Sequence, residues 1–156
     1  MSMRLVFFAI ISGVASGLLF DVDANYLPGL LFGLAVVLGA AGRFEGLGWL
    51  RSLLFIGASV AAYNLAVHAA VALHDLHWVP EPAYGAVAGA LGAGLLGLAL
   101  RVAFRVRSLG LLLLAGAAAG APFFAMPHAV LAYILWQGSV ALVIARSWGA
   151  GRPATV

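Results

Sequence analysis

The chain has 156 residues, of which 65% are hydrophobic and 8% charged, and its mean hydropathy is +1.12. Soluble domains carry charge on roughly a quarter of their residues, so this composition excludes an ordinary water-soluble fold and points to a bilayer. The net charge of +3 and pI of about 10.0 do not indicate nucleic acid, because the arginines flank apolar runs; with zero cysteines, disulfides, thiolate metal sites and cysteine nucleophiles are excluded.

Lipid offers no hydrogen-bond partner to the backbone, so an apolar run that crosses about 30 Å of hydrocarbon must be helical. The pattern predicts an all-α integral membrane protein with six transmembrane helices, over 4–20, 26–42, 52–73, 83–100, 108–125 and 129–146. Residues 1–146 then form one transmembrane domain and 147–156 a short tail.

The first run follows Arg4 and carries Ser12, Ser16 and the pair Gly13 and Gly17. Asp21, Val22 and Asp23 follow it without a small-x-small cleavage pattern, so it is expected to be retained and not removed as a signal. Pro28 opens the second run at a first-turn position, where its missing amide proton costs nothing. An interfacial turn containing Arg43, Glu45, Trp49 and Arg51 leads into the third, which holds Ser59, Tyr63, Asn64 and His68.

Glu81 and Pro82 introduce the fourth run, the acid lying beside a positive helix N-terminus. One face of that run is nearly bare through Gly85, Gly89, Ala93 and Gly97, and Arg101, Arg105 and Arg107 follow it. Ser108 is placed to cap the fifth run, which contains Gly116 and Gly120, and Pro122 predicts a kink near its end. The sixth begins after His128, carries Tyr133, Gln137 and Ser139, and ends at Arg146, with Arg152 in the tail beyond it. Trp49, Trp78 and Trp148 fall where interfacial anchors are expected.

All eight positive side chains are arginine, and they gather at alternate connections. The other connections hold Asp21, Asp23, His74, Asp75, His77, Glu81 and His128, with Glu45 the one acid among the arginines. The positive-inside rule then predicts a multi-pass protein of the cell membrane, of bacterial inner-membrane style, with both termini cytoplasmic. Cutting after Leu73 leaves three spans on each side in opposite senses, which permits a 3+3 inverted repeat.

Glycines four residues apart let helix backbones approach closely, and Gly13, Gly17, Gly85, Gly89, Gly97, Gly116 and Gly120 are the expected packing positions. No Asp, Glu, Lys or Arg falls near the middle of any span, which argues against a pump or voltage sensor built on such groups. Asn64 and His68 lie one helical turn apart, as do Tyr133 and Gln137. If the third and sixth spans adjoin, Asn64 with Gln137 and His68 with Tyr133 would form a ladder, serving as interhelical glue or as a solute path.

The outer His and Asp residues are a solvated surface in the simplest interpretation; His74 and His77 match no metal motif and are weak metal candidates only. No nucleophile elbow, phosphate loop or dinucleotide fingerprint occurs, and without lysine no Schiff-base cofactor has an anchor. No enzymatic activity and no cofactor are therefore expected. The expected function is a channel or facilitator for a small solute, homo-oligomeric because the chain is only 16.0 kDa. The alternative is a non-transporting membrane subunit, immunity protein or effector that binds a protein partner. Nucleic acid is not an expected partner; the lipid bilayer is.

Overall fold

A computed structural model describes residues 3–19, 26–41, 49–104 and 108–149, and among these no strand occurs. The described helices are α1 (Met3–Leu18), α2 (Leu27–Ala40), α3 (Trp49–His74), α4 (Glu81–Phe104), α5 (Leu109–Gly120) and α6 (Ala129–Gly149). A single 3-10 turn, Phe123–Ala125, stands between α5 and α6. Asp21, Asp23, Arg43, Glu45, Arg105, Arg107 and Arg152 lie outside the described residues.

Three of the helices, α3, α4 and α6, are long and apolar enough to cross a membrane. Their 26, 24 and 21 residues rise about 39, 36 and 31 Å at 1.5 Å per residue. The 16, 14 and 12 residues of α1, α2 and α5 rise about 24, 21 and 18 Å, short of a hydrocarbon core of about 30 Å.

Each helix packs on the next in sequence, and α6 returns to lie along α1, so the bundle closes on itself. Neighbours run antiparallel. Gly13 faces Ile134 while Gly17 faces Val130, and Gly85 faces Gly120 while Gly89 faces Gly116. At Gly89 and Gly116 the added Cβ of either residue would collide with the other's carbonyl oxygen. Gly97 is tight in a milder way, its Cβ meeting the side chains of Leu109 and Leu112.

The exterior is unlike that of a soluble protein, with large apolar side chains exposed around an apolar core that holds a few polar groups. Ser12, Ser16, Ser59 and Gln137 are buried, whereas Phe7 (61%), Leu114 (68%) and Val102 (88%) are exposed. Such an apolar exterior is what hydrocarbon, not water, stabilises.

Local sequence signals were realised unevenly. Pro28 sits in the first turn of α2 and Glu81 in that of α4, as expected. The α-helix of the fifth run stops at Gly120, before the expected end of the run at 125. Pro122 has no amide proton to donate, so α5 ends at Gly120 and the 3-10 turn replaces the expected kink. Ser108 precedes α5 without capping it: its φ of −93° and ψ of 36° depart from the extended conformation of a capping serine. Trp49 and Trp78 are exposed, but Trp148 packs against the core instead of standing free at an interface.

These contacts predict opposite responses to one substitution. Gly89→Ala and Gly116→Ala overpack the α4/α5 contact and are expected to cost about 1–3 kcal/mol. Gly57→Ala and Gly110→Ala, where nothing lies within 4 Å, should be neutral or stabilising by up to about 1 kcal/mol. Thermal unfolding in detergent measures both, and equal losses at all four positions would contradict the packing.

Candidate functional site

A buried hydroxyl or amide in a low-dielectric interior is costly unless hydrogen-bonded, and the interior of this bundle is organised by such bonds. Ser59 Oγ donates to the Gly29 carbonyl at 2.7 Å, joining α3 to α2. Gln137 Nε2 donates to Ser16 Oγ at 3.1 Å, joining α6 to α1. The Tyr63 and Tyr133 hydroxyls meet at 2.5 Å, joining α3 to α6. Gln137 Oε1 and Ser12 Oγ are buried with no hydrogen-bond partner among the described residues, so Gln137 keeps an unused acceptor in the interior.

The expected ladder is not the arrangement found. Asn64 Nδ2 bonds to the Val60 carbonyl one turn back in its own helix, and His68 Nδ1 bonds to the Asn64 carbonyl at 2.7 Å. Neither reaches α6, and His68 is on the exposed surface. Tyr133 and Gln137 do point inward, but their partners are Tyr63 and Ser16. The helical angle explains the substitution: residues 59 and 63 share one face of α3, residues 64 and 68 the next, about 100° around, and α3 turns the first of these faces to the interior.

Two cavities lie on this interior. The larger, about 560 Å³, is a cleft at the end of the bundle bearing His74 and Glu81. Its walls come from α3 (Tyr63, Ala66, Ala70), α4 (Tyr84, Gly85, Gly89, Gly92), the turn (Phe123, Phe124) and α6 (Tyr133, Trp136). Of the α4 glycines along it, Gly92 turns toward the cleft, where an added Cβ would meet Ala66 and Trp136, whereas Gly85 and Gly89 turn their bare faces to the α5 backbone. The smaller cavity, about 20 Å³, touches Gly29, Phe32, Ser59 and Gln137, and is the size that holds about one water. Tyr63, Tyr133 and Trp136 line both, so the tyrosine pair is a partition between them. Trp136 is fixed by an edge contact with Phe32 and a long bond of 3.4 Å from Nε1 to the Gly89 carbonyl.

Toward the arginine end the interior is sealed. Phe55, Leu100, Val140 and Ile144 are at most 1% exposed and form a continuous apolar cluster. Toward the other end, His74 packs edge-on against Tyr84 at 5.6 Å and against His77 at 6.5 Å, while Asp75, His77 and His128 lie on the surface. His77 adopts a left-handed φ of 55° in the turn after α3. Among the described residues, no group of three His, Cys, Asp or Glu is placed to hold a metal ion.

Sequence reasoning missed Tyr63 as a site residue and gave no role to Trp136, Tyr84, Phe123 or Phe124. A signal for the first existed, since Ser59 and Tyr63 are one turn apart just as Asn64 and His68 are. The aromatic residues beside Pro122 read only as a helix end.

No family model, curated protein or solved structure matches the chain. Double-mutant cycles test the partner exchange directly. The pair Tyr63→Phe and Tyr133→Phe should show a coupling of about 0.5–1.5 kcal/mol. Asn64→Leu and Gln137→Leu should be additive within about 0.5 kcal/mol. Coupling in the second cycle and none in the first would restore the original ladder.

Proposed function

We propose that the chain is a channel or facilitator for a small neutral or weakly charged solute. It crosses the membrane six times with both ends in the cytoplasm, and the shorter α1, α2 and α5 are accommodated by local thinning of the bilayer. The observation that carries this function is the stacking of two cavities across the Tyr63–Tyr133 partition, with the unsatisfied Gln137 Oε1 beneath it.

In this mechanism a solute enters the aromatic cleft and displaces the tyrosine hydrogen bond. It then exchanges that contact for one with Gln137, so its polar group is not stranded in apolar surroundings. Phe55, Leu100 and Ile144 form the inner seal, which opens to complete passage. Several copies assemble through the exterior; Gly57 on α3 and Gly110 on α5, with open space around them, offer flat contact faces for this. The same inner seal favours one alternative, a non-transporting subunit whose cleft receives a segment of a membrane partner.

Flux into liposomes containing the purified chain tests the proposal, using a panel of small amides, polyols, weak acids and amines. Wild-type protein should accelerate at least one of these. Gln137→Leu should lower that flux at least ten-fold while the midpoint of thermal unfolding moves by only a few degrees, and Asn64→Leu should leave it within two-fold. A flat permeability across the panel would remove transport and leave the partner-binding subunit.

A further inference from the structure

The larger cleft has a chemistry that solute passage does not require. Its volume of about 560 Å³ lies within the range of roughly 300–1,000 Å³ that accommodates a drug-sized molecule, whereas the cavity beyond the tyrosines holds only about 20 Å³. A molecule that fits the first cannot enter the second. Its aromatic wall is continuous: Tyr84 meets Phe124 at 4.9 Å, Phe124 meets Phe123 at 5.6 Å, and Phe123 meets Tyr133 at 5.1 Å. Tyr63 extends the arc beyond Tyr133 at 6.3 Å.

Charge at the cleft has one sign. Among the described residues lining it, Glu81 is the single acidic or basic side chain apart from His74, and Arg4, Arg51, Arg101 and Arg146 stand at the opposite ends of their helices. Aromatic walls attract cations through their quadrupoles, and more strongly where water is excluded. A carboxylate at the rim adds a counter-charge, weakened by its exposure to solvent.

We infer that this cleft is a binding site for a lipophilic organic cation, a quaternary onium or a bulky amine, held by the Tyr84–Phe124–Phe123–Tyr133 wall with Glu81 as counter-charge. The cation binds above the tyrosine partition and is too large to pass it. Occupancy therefore does not depend on the chain conducting anything, and a bound cation would block any flux through the cleft.

Tetraphenylphosphonium is a suitable probe, with tetraphenylborate as an anion of the same shape. Equilibrium binding to the purified full chain in detergent, corrected for empty micelles and measured at mildly alkaline pH, should be saturable at one cation per chain. The borate should bind at least ten-fold more weakly. Glu81→Gln should weaken the cation about three- to ten-fold, and Phe124→Leu, at a partly exposed position, by at least three-fold. Asp75→Asn, on the same end but outside the lining, should change it less than two-fold. Equal affinity for both ions, an unchanged Glu81→Gln variant, or a cleft that retains lipid and shows no saturable cation binding would each overturn the inference. Binding without flux leaves it standing while transport fails; flux without binding removes this inference alone.

Discussion

Where α4 passes α5, the backbones are so close that neither Gly89 nor Gly116 has room for a Cβ, and α1 passes α6 the same way at Gly13 and Gly17. In lipid no hydrophobic drive presses helices together, so dispersion between closely approaching backbones has to do it. Those contacts fix which faces of α4 and α6 turn inward. The inward faces then decide where the tyrosines, Trp136 and Gln137 can stand. A methyl group at Gly89 would separate α4 from α5 and also displace the carbonyl that holds Trp136.

The interior that results is graded along the bundle. At one end an aromatic cleft is open enough for a bulky guest; in the middle, hydroxyls and one amide meet in pairs; toward the arginine end Phe55, Leu100, Val140 and Ile144 form an apolar cluster with Trp148 packed against it. Each polar bond in the middle joins a different pair of helices, α2 to α3, α3 to α6 and α6 to α1. The same few groups thus hold the ring together, and under the proposed function they also serve the solute. In the proposed transport the tyrosine pair, a tie between α3 and α6, is also the contact that the solute displaces.

Helix positions were legible because composition leaves an apolar run in lipid no other conformation, and the glycine rows announced close approach. Local signals were misjudged where a single residue carried the decision, as at Pro122, where α5 gives way to a 3-10 turn instead of a kinked helix, and at Ser108, whose backbone is wrong for capping. The interior face of α3 was not legible. Ser59 with Tyr63 and Asn64 with His68 are equally good stripes by spacing, and only the partner helices select between them. The cleft was hidden for a related reason: its walls come from α3, α4, the 3-10 turn and α6, which no local pattern connects.

All of this rests on an interior reachable by water and an exterior covered by lipid, and the chain's lack of cysteine makes that directly measurable. Ala66 lines the cleft, while its neighbour Leu65 is exposed on the outer surface at nearly the same depth. Single Ala66→Cys and Leu65→Cys variants in intact membranes can be treated with a small, charged, membrane-impermeant thiol reagent. The account predicts rapid labelling of Ala66→Cys, slowed by a cation that fills the cleft, and protection of Leu65→Cys. Labelling of Leu65→Cys as fast as Ala66→Cys would contradict it.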